Sequence, residues 1–305
     1  MTGPLSIVVP VYNSAGSLPT LVDRLAHVLD GGDDYEIVLV NDGSTDGSWE
    51  VIERLRSARP RIRGLDLMRN YGQHNALLAG LRAARHPVVV TLDDDLQNPP
   101  EEIPKLLAKL DEGYDVVYGS WRTPAHGVLR NAATKLTKFA LRGAIGSDIA
   151  NKVTAYRAFR TELRDAFRDF RGPYVSIDVL LSWGTSRFGA VPVRHDPREE
   201  GKSSYGLARL ATHALNVLTG FSTRPLRFAS LMGLFFTLVG LALLTLVLVR
   251  YFVEGDAVPG FPFLASVVAI FSGAQLLTLG IIGEYIARMH VRVMDRPPYA
   301  VRDEI

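Results

Sequence analysis

Between residues 5 and 120 the chain alternates short apolar, β-branched runs with stretches whose apolar positions recur every three or four residues. "SIVVPV" (Ser6–Val11), "YEIVLVN" (Tyr35–Asn41), "IRGLDLM" (Ile62–Met68), "PVVVTL" (Pro87–Leu92) and "YDVVYGS" (Tyr114–Ser120) read as strands. Between them, "LPTLVDRLAHVL", "SWEVIERLRS", "HNALLAGLRAA" and "EIPKLLAKLDEG" have the spacing of amphipathic helices. Strands this continuous are apolar on both faces and need cover on both. The βα order therefore predicts an α/β fold, a mostly parallel sheet flanked by helices. In such a sheet, ligands collect beyond the carboxyl ends of the strands.

The pattern changes near residue 225. Phe228–Val249 and Phe261–Gly283 carry no charged residue over 22 and 23 positions. At about 1.5 Å per residue, each is long enough for the ~30 Å hydrocarbon core of a bilayer. The connector holds Glu254 and Asp256 against one arginine, whereas Arg224, Arg227, Arg288, Arg292 and Arg296 flank the pair outside. The positive-inside rule then predicts a two-helix transmembrane hairpin in the plasma (inner) membrane, with both termini cytoplasmic. The expected organisation is a catalytic domain over 1–200 and a mobile loop with an interfacial helix over 201–225. Two spans follow within 226–287, then a cytoplasmic tail over 288–305. "VLRNAATKLTKFALRGAIG" (Val128–Gly146) sets an apolar face against Arg130, Lys135, Lys138 and Arg142. With "SYGLARLATHALNVLTGF", it is expected to lie amphipathically at an anionic lipid surface.

Composition narrows the classes. Thirty-four basic residues nearly balance 32 acidic ones, for a formal charge of +2, which argues against a nucleic-acid binder that relies on bulk charge. With no cysteine, disulfides and thiolate metal sites are excluded. The N-terminus lacks a basic n-region and its apolar run is too short for a signal peptide, so the catalytic part is expected in the cytoplasm. No G-x-G-x-x-G follows the first strand and no G-x-x-x-x-G-K-[ST] occurs, which disfavours dinucleotide and P-loop readings.

Candidate chemistry sits at three strand ends: "PVYNS", "VNDGSTDGS" and "LDDDLQNPPEE". Asp93 and Asp95 are one residue apart and share a side if strand geometry persists, and Gln97 continues the alternation with a neutral oxygen. One acid would serve to cap the following helix. Three acids plus Gln97 point instead to a hard divalent cation, which takes oxygen ligands and bridges diphosphate oxygens. Thr45 or Asp46 suits a helix cap, leaving Asp42 at its strand tip free to accept hydrogen bonds from a nucleobase.

"VVPVYN", "VNDGSTDGS", "RNYGQHNALLAGL" and "LDDDLQNPPEEIPKLLAKLDEGYDVVYG" together resemble family 2 glycosyltransferases of the GT-A fold. The likeness is to the group that glycosylates a polyprenyl phosphate, and it continues through "REEGKSSYGLARL", "TRPLRFASLMG" and "GEYIARMHVRVMDRPPY". It implies inverting transfer of a sugar from a nucleotide sugar, UDP-linked by preference and GDP-linked as the alternative, to a polyprenyl phosphate at a bilayer. It also implies a homo-oligomer, a tetramer in relatives. Pro10, Tyr12, Asn13, Asp42, Asp93 and Asp94 would hold the nucleotide sugar; Asp95 and Gln97, with Asp93, would bind Mg²⁺ or Mn²⁺. Arg122, Arg130 and Lys202 would meet the phosphates, Lys202 from a closing loop, and Asp148 would take a catalytic place.

Two departures stand out. Ser14 occupies the position where the family writes Glu after Pro-Val-Tyr-Asn. In "SDIANKVTAYRAF", Val153 and Thr154 stand where relatives place an arginine after the Asp, and Lys152 is the nearest substitute charge. A processive polysaccharide synthase is the enzymatic alternative, but its usual Gln-x-x-Arg-Trp is missing. A membrane-anchored nucleotide-sugar-binding subunit without catalysis is the other.

Overall fold

The structure is a computed structural model that describes residues 3–32, 34–121, 153–172, 175–197, 224–254 and 260–305. It divides into two compact units, Met1–Ala214 with Asp295–Ile305, and Leu215–Met294.

The first unit opens with β1 (Leu5–Val11), α1 (Leu18–Leu29), β2 (Tyr35–Asn41), α2 (Ser48–Ala58), β3 (Ile62–Leu67), α3 (Gln73–Ala83) and β4 (Val88–Thr91). A 3₁₀ turn leads to α4 (Ile103–Asp111) and β5 (Val116–Ser120); further on come β6 (Arg157–Arg160), α5 (Ile177–Gly184), β7 (Phe188–Pro192) and, at the C-terminus, β8 (Val301–Glu304). Among the described residues these strands make one sheet, ordered β7-β5-β6-β4-β1-β2-β3-β8. β1 pairs in parallel with β2 on one side and β4 on the other, so the strand order reverses beside β1. A crevice opens at such a point, at the carboxyl ends of the strands.

The apolar pattern explains the layers. β1 and β2 are buried at every position. α1 buries Leu18, Leu21, Val22, Leu25 and Ala26, the stripe its spacing predicts. α3 lies close on the sheet because Gly80 has no side chain; a Cβ there would run into Val8. That close approach carries the N-terminus of α3 to the strand ends.

Three strands were not read from the pattern. β6 is antiparallel to β4 and β5. Its sequence, "RAFR", begins with Arg157, which is only 1% exposed. The guanidinium is paired with the buried Asp178, and its Nε donates to Thr91 Oγ1 at 3.1 Å. A charge is tolerated there because it is fully paired. β7 holds a glycine and a proline, which hide it. β8 is the fully exposed "VRDE", which reads as tail but adds to the sheet edge by main-chain bonds, antiparallel to β3.

The second unit holds α6 (Arg224–Glu254) and α7 (Phe261–Val293). Among the described residues both contain stretches long and apolar enough to cross a membrane, Pro225–Val247 and Ile270–Val293. Phe236 meets Phe271 edge to face at 5.8 Å, where Gly240 also lies against Phe271. The expected interfacial segments, 128–146 and 205–222, lie outside the described residues.

Candidate active site

The loops after β1, β2 and β4 meet at the crevice. The first two are latched together. Asn13, held at φ 55°, accepts from Thr45 N at 2.8 Å through its Oδ1, while its own N–H donates to Ser44 Oγ at 3.0 Å. The N-cap of α2 is Gly47, at φ 82°, rather than Thr45 or Asp46; Asp46, one residue earlier, accepts from Ser48 N at 3.1 Å through Oδ1 and from Ala15 N at 3.0 Å through Oδ2. Tyr12 is half exposed at the mouth, and Pro10 is buried within β1.

Asp42 is not free, contrary to expectation. Its Oδ1 accepts from Tyr71 N at 2.7 Å and its Oδ2 from Gly72 N at 2.8 Å, and the side chain is buried. Burial pushes its carboxyl up, against the two backbone donors that favour its charge. Gly43 lets this approach happen: at φ 67° it lies so near the 69–70 backbone that a Cβ would sit 2.5 Å from Asn70 N.

Asp93 and Asp95 do not share a strand face. β4 ends at Thr91, and the chain turns through 94–96 with Leu96 at φ 61°. The three acids therefore face different partners. Asp93 Oδ1 accepts from Gln73 Nε2 at 2.5 Å. Asp94 turns back to the β1 loop, its Oδ2 accepting from Tyr12 N at 3.1 Å and Ser14 Oγ at 2.5 Å. Burial pushes the Asp94 carboxyl up against those bonds. Asp95 Oδ1 accepts from Gln97 N at 3.2 Å.

Beyond Gln97 stands His195, which the sequence reading did not single out. Gln97 Nε2 lies 3.5 Å from His195 Nε2, and Asp196 N donates to Gln97 O at 2.9 Å. Trp121 stacks flat on the imidazole at 4.0 Å. Burial holds the His195 pKa below its ordinary value, against the charges of Asp95 and Asp196. Its Nδ1 is buried without a hydrogen-bond partner. Nothing in the sequence joins His195 to a turn 98 residues earlier. Gln73 was not singled out either: it stands within the quoted "RNYGQHNALLAGL", one residue before the helix that the pattern predicts.

By residue type, this donor set suits a divalent cation. It offers the carboxylates of Asp93 and Asp95, the Gln97 carboxamide and an imidazole with an orphaned nitrogen. Among the described residues no three acidic or imidazole groups are placed together to hold a metal ion. Mg²⁺ does not need three, because it keeps waters and takes one or two carboxylates together with substrate phosphates. Arg122, Arg130, Asp148, Lys152 and Lys202 lie outside the described residues.

A family model described as glycosyl transferase family 2 matches residues 6–168, which includes all three loops. The chain belongs to glycosyl transferase family 2. It is 39% identical to undecaprenyl-phosphate 4-deoxy-4-formamido-L-arabinose transferase of Shewanella sediminis (strain HAW-EB3), over 98% of this chain and 92% of that one. Crystal structures of glucosyl-3-phosphoglycerate synthase from Mycobacterium tuberculosis share its fold. The complex with phosphoglyceric acid has a TM-score of 0.53 at 20% identity, covering 71% of this chain and 78% of that one. The complex with Mn²⁺, UDP and phosphoglyceric acid has a TM-score of 0.51 at 20% identity, covering 71% and 76%. The mostly parallel sheet flanked by helices is thus the GT-A arrangement, and this family 2 chain is a glycosyltransferase.

Proposed function

We propose that the protein transfers a sugar from a nucleotide sugar, UDP-linked by preference, to a polyprenyl phosphate at the cytoplasmic face of the membrane. The observation that carries this reading is the likeness to an undecaprenyl-phosphate transferase, at 39% identity over 98% of the chain.

The site's geometry supports a donor place at the crevice. The loops 12–14 and 41–44 set Tyr12 at its mouth and Asp42 buried behind it, and in this reading Asp93, Asp95 and Gln97 would meet the diphosphate. Asn13 and Asp94 contribute by holding those loops in register. Asp93, Asp95 and Gln97, with His195 beside them, would hold Mg²⁺ or Mn²⁺. That ion would offset the negative charge gathering on the leaving diphosphate.

An acceptor phosphate oxygen attacks the anomeric carbon from the face opposite the diphosphate, inverting it, as that carbon's bond to the diphosphate oxygen breaks. The nucleoside diphosphate leaves with the electron pair. The acceptor oxygen is already anionic, so no proton has to be removed from it. The remaining barrier is electrostatic, and Arg122, Arg130 and Lys202 are the cations proposed to screen the two phosphates. Asp148 is proposed beside them.

The topology has independent support in the chain path. β1 to β7 precede the two apolar helices and β8 follows them, yet all eight strands share one sheet. If both helices cross the bilayer, both ends of the catalytic unit lie on the same side. The arginine-rich outer flanks then put that side in the cytoplasm.

The test is turnover by purified full-length protein with a panel of radiolabelled UDP- and GDP-sugars and undecaprenyl phosphate. The expected product partitions into organic solvent and releases sugar under mild acid. Equal transfer to a water-soluble saccharide without lipid would refute the acceptor.

A further inference from the structure

β8 reaches the loops of the proposed donor site by two routes, one ending in the 41–44 loop that carries Asp42 and the other in the 69–72 loop that holds its carboxylate. In the first, Arg302 Nη1 lies 3.3 Å from Asp66 Oδ2. Asp66, buried in β3, accepts through its other oxygen from Asn41 Nδ2 at 2.7 Å, and Asn41 Oδ1 accepts from Ser44 N at 3.2 Å. That route braces the 41–44 loop from beneath. In the second, Met68 N donates to Ala300 O at 2.9 Å and Arg302 Nη2 donates to Met68 O at 3.0 Å. Met68 leads directly into the 69–72 loop, whose Tyr71 and Gly72 N–H groups hold the Asp42 carboxylate.

The attachment of this strand is extensive. Gly64 and Ile305 exchange a pair of backbone hydrogen bonds, each 3.0 Å long. Arg63 joins Glu304 at 2.5 Å to the buried Glu36 at 2.9 Å. Tyr299 lies under Arg82, and Ile305 packs on the core. A surface tail does not need this many partners. The two loops are also stacked on each other at Gly43, so fixing either one constrains its neighbour.

We propose that β8 is a positioning element of the donor site: through Arg302 and Asp66 it fixes the 41–44 and 69–72 loops around Asp42. That a nucleotide sits on these loops rests on the function proposed above; the hold of the strand on them does not. The consequence concerns assembly. The strand comes last in the chain, after both apolar helices, so the donor site is complete only once the polypeptide has returned from them.

The test uses full-length protein in detergent and two variants. Arg302→Ala removes an exposed side chain and both of its bonds. Asp66→Asn keeps an oxygen for Asn41 but turns an amide toward Arg302. Peptide-level hydrogen exchange without ligand is expected to quicken about 5-fold over 41–46 and 69–73 in both variants, the size that one ion pair and one hydrogen bond allow. Exchange over α4 should not change. The Michaelis constant for donor, and the dissociation constant for UDP used as probe, should rise by a similar factor at unchanged kcat. Arg302→Lys, which keeps the charge, should recover part of the loss, and Arg168→Ala, a control at an unrelated exposed pair, should match wild type. Wild-type exchange over both loops in both variants would overturn the proposal. Quickened exchange in a protein whose wild type binds no UDP would uphold the strand's role and sink the nucleotide reading instead.

Discussion

Gln73 Nε2 donates to Asp93 Oδ1 at 2.5 Å, joining the first residue of α3 to the turn beyond β4. The bond orients a carboxylate proposed to face both metal and diphosphate, and it comes from a helix held close to the sheet by Gly80. Gln73→Leu keeps the volume and removes the donor. It is expected to lower kcat/KM for donor about 10-fold, about 1.4 kcal/mol. Gln73→Glu should cost more, because it sets a second carboxylate against Asp93. Steady-state kinetics with donor varied checks both; wild-type constants for Gln73→Leu would remove Gln73 from the site.

The metal reading makes a binding prediction apart from turnover. Asp95→Asn should abolish transfer while the melting temperature stays near that of wild type. His195→Ala should weaken Mn²⁺ binding about 10-fold, the scale seen when a group supporting a metal site is lost. Electron paramagnetic resonance titration of Mn²⁺ reads the binding in both variants without substrate, and a transfer assay reads turnover. Full activity of Asp95→Asn in EDTA would sink the assignment.

How far the sequence carried can be judged at particular residues. β1 and β2 were legible because unbroken apolar β-branched runs have few other uses in a soluble sheet. The Asp93–Gln97 cluster was legible as chemistry, because like charges at a strand end demand a reason. Its geometry was not, since a leucine at φ 61° is a tertiary outcome that no local preference announces. Asp42 looked free because the N–H groups that hold it come from a loop 29 residues away. β6 was hidden by Arg157, whose burial makes sense only with Asp178 beside it. β8 was hidden because an edge strand is held by its backbone, and "VRDE" has no apolar pattern to show.

Glu36 carries a pH-dependent part of the stability. Burial alone would raise its carboxyl, but Ser6, the Arg85 N–H and Arg63 together hold it below the ordinary range. A depressed carboxyl stabilises the fold above its unfolded value, about 4.3, and that contribution is lost as pH falls through the lower folded value. Glu36→Gln should therefore melt below wild type at pH 7, with the gap closing as the pH drops below about 4. Thermal melts across that range decide it. A gap that widens on acidification would contradict the sign.

Ser14 stands where the family writes glutamate, and the structure supplies a reason. Its Oγ donates to Asp94 Oδ2 at 2.5 Å, the same oxygen that accepts from Tyr12 N at 3.1 Å. A glutamate at position 14 would bring a second carboxylate to a partly buried acid whose pKa burial has already raised. At contact distance, two such charges repel by about 4 kcal/mol at an effective dielectric constant of 20, before either relaxes. The β1 loop would then give way, and Tyr12 with it. Ser14→Glu alone is expected to raise the Michaelis constant for donor about 10-fold and to lower the melting temperature. Ser14→Glu with Asp94→Ala removes the repelling partner and should recover most of both losses. The double-mutant cycle should give a coupling of about 1–3 kcal/mol, in the range of side chains in direct contact. Additive effects would mean that the two positions are independent, and that the glutamate's absence has no bearing on Asp94.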